Sequence, residues 1–309
     1  MRAARLLICY VAGVFVGGAL LAPWLFHLAH WAAGELPALQ GLAGQPFHRY
    51  VNRCLLLVAV AGLWPLLRAL NLADRRALGL ASPLAACRPL ALGLALGFGS
   101  LLLAAVLMAL AGVRSFNFSH APQVMLELAV TATLAAAAVA LLEEIIFRGV
   151  VFGALRRAWS LGPALLASAA LYSLVHFLAR VEHAGPVEWA SGLALLPRMA
   201  RGLAAPENLL PALTLALGGV ALGLACHRTG KLWFAIGLHA GWVFWLKVFK
   251  TVTLPGTSAG GAFWGTEKLL DGWLACLVMA AVLAVVARLP QTPQTPATPD
   301  EPGGSEPRA

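Results

Sequence analysis

Three short stretches hold the residue types that could carry chemistry. LLEEIIFRG contains Glu143, Glu144 and Arg148, LYSLVHF contains Tyr172 and His176, and AIGLHAGWVF contains His239. Carboxylates and imidazoles can take a proton from water and return it, which is general acid–base chemistry. Adjacent carboxylates on a helix diverge by about 100°, so Glu143 and Glu144 are not expected to face one neighbour. Glu144 and Arg148 are four apart and can pair along one face. That leaves Glu143 free to point elsewhere. Tyr172 stands one turn before His176.

The elements that must position these groups are membrane helices. Of the 309 residues, 60% are hydrophobic and 11% charged, against about 25% charged in soluble domains. The apolar residues come in long runs, and a spanning helix needs about 20 of them. Candidate spans lie near Leu6–Leu28, Cys54–Leu70, Leu90–Ala111, Val124–Phe147, Pro163–Leu178, Leu209–Cys226, Leu232–Phe249 and Trp273–Ala287. The expected fold is all-α, a polytopic transmembrane helical bundle of about eight spans. Glu143 and His176 then fall near span ends and His239 within one. Ionisable groups at such depth are expensive and are functional hypotheses by default.

Basic residues set the expected orientation. With the N-terminus in the cytoplasm, the cytoplasmic links hold Arg68, Arg75, Arg76 and Arg88, then Arg156 and Arg157, then Arg228 and Lys231. The opposite links hold Glu35, Glu182, Glu188, Glu207, Glu267 and Asp271. Eight spans return the C-terminus to the cytoplasm, and a bacterial inner membrane is the expected location. Arg2 and Arg5 precede the first apolar run as in a signal peptide, but that run exceeds the roughly 7–15 residues of a signal core and reads as an uncleaved anchor. Residues 188–203 mix Trp189, Leu195 and Met199 with Arg198 and Arg201, as in a helix lying in the membrane interface. From Pro290 onward the chain is rich in Pro and Thr with almost nothing to bury, and reads as a disordered tail.

Other groups read as structural. The net charge of +9 is scattered through short links, with no basic stripe for nucleic acid. Five cysteines, Cys9, Cys54, Cys87, Cys226 and Cys276, form no CxxC pair and suit small buried positions. His27, His30, His48, His120, His183 and His227 fall at span ends or in links. No GxSxG, HExxH or phosphate loop is present.

A Glu-Glu-x-x-x-Arg span, then an aromatic-x-x-x-His span, then a span centred on His resembles the CPBP family, the CAAX proteases and bacteriocin-processing enzymes also called Abi. The resemblance runs from Val124 to Phe249. It implies an intramembrane endopeptidase that hydrolyses a peptide bond of a membrane-associated protein. Glu143 would activate water with help from His176, His239 would stabilise the oxyanion, and Glu144 and Arg148 would hold the helix geometry. Two positions depart from the family. The second motif usually starts with Phe where Tyr172 stands here. The third commonly has Asn four residues after its His, where Val243 stands here and cannot donate to an oxyanion.

The expected organisation is N-terminal helices at 1–123, a CPBP-like core at 124–250, a last helix at 251–289 and the tail at 290–309. The expected partners are a membrane-associated protein or peptide and the lipid bilayer. A metal-free glutamate mechanism is favoured because no dedicated ligand motif occurs, although Glu and His also suit a divalent metal such as zinc. Two alternatives stay open: a non-catalytic membrane scaffold of the same fold, which Val243 favours, and a proton-coupled transporter, which intramembrane Glu, Arg and His also allow.

Overall fold

Large side chains face outward and small ones inward along the long helices. Ile8, Leu56, Leu103, Leu134, Leu166 and Leu277 are exposed, whereas Ala19, Ala104, Ala136, Ala164, Ala221 and Ala235 are buried. This distribution suits lipid outside and close helix packing inside, where small residues let backbones approach. The computed structural model describes residues 2–75, 78–80, 86–117 and 119–291. Arg76 and the expected disordered tail from residue 292 onward lie outside the described residues.

In chain order, α1 spans Arg2–Glu35, α2 Gln40–Ala43, α3 Phe47–Ala69 and α4 Cys87–Leu110. Helix α5, Pro122–Glu144, passes through a π-helical segment at Ile145–Phe152 and continues as α6, Gly153–Ala158. Then follow α7 (Leu161–Val175), α8 (Ser191–Ala200), α9 (Leu209–Thr229), α10 (Trp233–Val252) and α11 (Trp273–Ala287). One short antiparallel pair, β1 (Arg114–Phe116) with β2 (Thr253–Pro255), ties the start of α5 to the end of α10. The protein is an all-α membrane bundle.

Five stretches are long and apolar enough to cross a membrane: Arg2–Glu35, Phe47–Ala69, Cys87–Leu110, Pro122–Ala158 and Pro206–Thr229. The other three expected spans are helices of a different kind. Helices α7 and α11 have 15 residues each, about 22 Å against a hydrocarbon core of about 30 Å. Helix α10 is mostly enclosed by protein, with residues from Phe234 to Phe249 buried along its length. Enclosure explains how it can carry the buried His239, whereas Lys247 and Lys250 are exposed. The fourth span also runs past its expected end at Phe147 to Ala158, because no Pro or Gly–polar break interrupts the run before Trp159. Helix α8 differs from the interfacial reading. Leu195 and Met199 are buried against α1 and α3, and a Cβ on Gly192 would lie 1.9 Å from the Ala19 carbonyl oxygen. The missing side chain lets α8 tuck against the middle of α1.

The most extensive helix contact joins α4 to α10 through two GxxxG faces. A Cβ on Gly93 or Gly97 would come within 2.1 or 2.0 Å of the Phe234 or Leu238 carbonyl oxygen. A Cβ on Gly237 would lie 2.1 Å from the Leu90 oxygen, and one on Gly241 2.3 Å from the Phe98 nitrogen. His239 sits midway between Gly237 and Gly241, about 200° around the helix from either. Pressing the glycine face onto α4 therefore turns His239 toward α5 and α7. Gly97→Leu should lower the melting temperature of the detergent-solubilised protein by several degrees, because overpacking costs about 1–3 kcal/mol. Gly99→Ala, whose new Cβ would meet nothing within 4 Å, should leave it unchanged; equal melting for both variants would refute the packing account.

Candidate active site

The buried face of α5 is the stripe Ala132, Ala136, Ala140 and Glu144. Four-residue spacing keeps these positions on one side of the helix, so the register that buries three alanines also buries a carboxylate. Glu144 has no exposed surface. Arg148, one turn on, is also buried, and its Nη1 donates to Glu144 Oε1 at 2.8 Å. Its Nη2 reaches the Gly219 carbonyl of α9 at 3.4 Å, and its guanidinium lies 4.4 Å above the Tyr172 ring. An unpaired charge at this depth would be strongly unfavourable. The same oxygen, Oε1, also accepts from His239 Nδ1 at 2.8 Å.

His239 stands between both carboxylates, which differs from the expectation that they diverge to separate neighbours. Its Nε2 lies 3.7 Å from Glu143 Oε2. One imidazole can meet two diverging side chains because its nitrogens sit on opposite edges of the ring. Beyond Glu143, His176 Nε2 stands 3.8 Å from the same Oε2. His176 caps the C-terminus of α7, and its Nδ1 donates to the Tyr172 carbonyl at 2.7 Å. The bonding partners therefore assign Nδ1–H to both histidines and aim both Nε2 atoms at Glu143.

Glu143 is unlike its neighbour. Its side chain is 24% exposed, and its Oε2 is a buried atom without a hydrogen-bond partner among the described residues. It lines an apolar cavity of about 390 Å³ between α1 and α3 on one side and α5 and α7 on the other. Tyr10, Leu55, Phe147, Leu171 and Val175 are among its walls. A second, small cavity of about 30 Å³ lies beside His239 and is lined by Tyr172, Thr214, Trp242 and Val243. That volume holds a water or two, each needing about 10–15 Å³. Val243 thus faces the site and offers it only methyl groups. The Tyr172 hydroxyl stands 3.4 Å from His239 Nε2.

The structure brings Glu143, Glu144, Arg148, Tyr172, His176, His239 and Val243 into one site. Gly219 escaped the sequence reading. A Cβ there would lie 3.0 Å from Ala169 Cβ and 3.3 Å from Tyr172 Cδ1, so its absence lets α7 and α9 close around Arg148. Its signal was the small-xxx-small spacing of Gly219 and Gly223. His27, His30, His48, His120, His183 and His227 lie elsewhere: His27 bonds the Val187 carbonyl and His120 that of Thr251. Among the described residues no group of three or more His, Cys, Asp or Glu side chains is arranged to hold a metal ion. The donors present therefore do not fit the zinc alternative.

Residues 123–245 match the family described as "Type II CAAX prenyl endopeptidase Rce1-like". No curated protein and no solved structure matches the chain.

Arg148→Ala should cost about 3–5 kcal/mol by leaving the Glu144 charge buried and short of its cation. Adding Glu144→Gln should recover much of the loss, read as melting temperature in detergent. A neutral single variant, or a double variant no better than the single, would remove the ion pair as the cause.

Proposed function

We propose that this chain, whose residues 123–245 match the Rce1-like type II CAAX prenyl endopeptidase family, is a membrane protease that cuts its substrate with a water activated by Glu143. The observation that carries the reading is the position of Glu143 Oε2. It is unpaired and faces two imidazole nitrogens at 3.7 and 3.8 Å, on a side chain that lines an apolar cavity. Those gaps exceed a hydrogen bond, and one water oxygen about 2.8 Å from each group would bridge them.

The steps follow from the donors and acceptors. Glu143 takes a proton from the water as its oxygen attacks the peptide carbonyl carbon. His176, with Nδ1–H held by the Tyr172 carbonyl, offers the Nε2 lone pair that orients the same water. The carbonyl π electrons move onto oxygen. A protonated His239 would meet that charge with Nε2–H while Glu144 supports the imidazolium through Nδ1, as a buried carboxylate does in other hydrolases. Glu143 then passes its proton to the leaving amine, the C–N bond breaks, and the new carboxylic acid gives up its remaining proton to the regenerated Glu143 or to the amine.

The substrate is a membrane-associated protein whose apolar segment or attached group lies in the cavity beside Glu143. We further read the N- and C-termini as cytoplasmic, in a bacterial inner membrane. Arg157 bonds the Leu70 carbonyl and Arg228 that of Leu289, which gathers basic link residues at one end. The positive-inside rule assigns that end to the cytoplasm. Residues 124–250 are read as the catalytic core, with the helices of 1–123 enclosing it.

The non-catalytic scaffold reading draws on Val243, which supplies no oxyanion donor. Tyr172 answers it: its hydroxyl lines the same small cavity as Val243 and His239 and can donate where the amide would have been. Removing one such donor elsewhere costs about 10²–10³ in kcat.

Two experiments test the function. Glu143→Gln should abolish new protein termini in native membranes at matched abundance, whereas termini identical to those of the wild type would favour the scaffold. Once a cleavage assay exists, Tyr172→Phe should lower kcat by about 10–10³-fold with KM little changed; an unchanged kcat would leave the oxyanion to His239 alone.

A further inference from the structure

A cavity of about 360 Å³ opens on the opposite face of the α5–α6 rod from Glu143. The rod turns Glu143, Ile146 and Phe147 toward the apolar cavity and Arg148, Gly149 and Phe152 toward this one. Its walls carry Arg148, Arg156, Arg157, His227 and Lys231, and no carboxylate among the described residues. Glycines and apolar side chains, among them Leu72, Leu78, Phe152 and Leu232, make up the remaining wall. Cations gathered without a counter-charge repel one another, and an anion between them reverses the sign of that interaction.

Arg148 is paired with Glu144, whereas Arg156, Arg157 and Lys231 have no carboxylate partner among the described residues. Arg156 Nη1 donates to the Trp159 carbonyl at 2.8 Å, and Arg157 Nη1 to the Leu70 carbonyl at 2.7 Å. Each bond fixes a guanidinium and uses one of its five N–H donors. Among the described residues, none hydrogen-bonds or ion-pairs with Lys231 Nζ. Two fixed guanidinium forks and a free ammonium match a phosphate, which takes several charge-assisted bonds at once.

The cavity also sits where membrane phosphates are. Trp159, just past Arg156, is 47% exposed, and Trp64 on α3 is 54% exposed with Arg68 stacked 5.0 Å over its ring. The Arg157–Leu70 bond places the ends of α3 and α6 together, so both tryptophans mark one end of the bundle. Tryptophans collect at the headgroup level of a bilayer, and basic pockets between membrane helices at that level bind acidic headgroups. We infer that this cavity binds a phosphate group, supplied by the headgroup of an anionic phospholipid. The bound phosphate shares Arg148 with Glu144 and so adds a partner to the buried ion pair. The inference stands independently of what Glu143 does.

The test uses the full chain purified in detergent, with native mass spectrometry against phosphatidylglycerol and phosphatidylcholine. Wild type should retain phosphatidylglycerol at least tenfold more tightly. Lys231→Gln, which breaks no contact to a described residue, should lose most of that preference, and Arg157→Gln should as well. Lys250→Gln should keep it, since Lys250 is exposed beside Glu267. In parallel, melting is compared in inorganic phosphate and in chloride at equal ionic strength. Stabilisation by phosphate that vanishes in Lys231→Gln, without any lipid preference, upholds the phosphate site and assigns its source to solution. A lipid preference that survives in both variants, or no response to either ligand, overturns the inference.

Discussion

A carboxylate with no exposed surface governs this structure. Glu144 can be ionised inside the bundle only because Arg148 and His239 both bond its Oε1 at 2.8 Å. Each partner comes from a different place: Arg148 from the π-helical turn that follows α5, His239 from the protein-enclosed α10. Satisfying one oxygen therefore fixes the rotation of two helices and the course of the backbone after Glu144. The π-helical segment begins at the next residue, and such segments recur where a helix must re-aim side chains at a site. Arg148 reaches on to the Gly219 carbonyl and the Tyr172 ring, which draws α7 and α9 into the same constraint.

Polar pairing needs short distances between helices, and small residues provide them. Lipid is as apolar as leucine, so helices in a bilayer associate through close packing and hydrogen bonds rather than water exclusion. The α4–α10 contact leaves no room for a Cβ at Gly93, Gly97, Gly237 or Gly241. Two of those glycines flank His239, so the contact that holds α10 also sets the direction of its histidine. The alanine stripe on α5 works alike from the other side.

Much of this was legible in the residues. Composition and long apolar runs marked the membrane bundle, and α11 occupies the limits read for it, Trp273–Ala287. Four-residue spacing pointed to the Glu144–Arg148 pair. Helix α10, with His239 and two lysines, falls short of the five spanning stretches in apolarity, but its enclosure by protein is a matter of packing that no local pattern encodes. Periodicity likewise tells which face a residue occupies and not who meets it. The straddled His239 ring, the Tyr172 hydroxyl beside it and the Gly219 carbonyl under Arg148 are contacts between residues 67 or more positions apart for Tyr172–His239, Arg148–Gly219 and Glu144–His239. No local pattern encodes them.

The two adjacent glutamates differ in exposure and in partners. Glu144 has no exposed surface and is anchored through Oε1 by Arg148 and His239, while its Oε2 has no hydrogen-bond partner among the described residues. Glu143 keeps a partly exposed carboxylate whose Oε2 has no hydrogen-bond partner among the described residues. An unpaired polar atom at this depth costs about 1–3 kcal/mol, and a fold tolerates it when nearby structure over-determines the position. Here the over-determining structure is the next residue: Glu144, Arg148 and His239 lock the helix so that Glu143 cannot rotate away to find a partner. The same rod separates two environments, apolar at Glu143 and cationic at Arg148. A reactive carboxylate on one face and the charge that anchors its helix on the other can thus be altered by different ligands, while remaining one turn apart on a single helix.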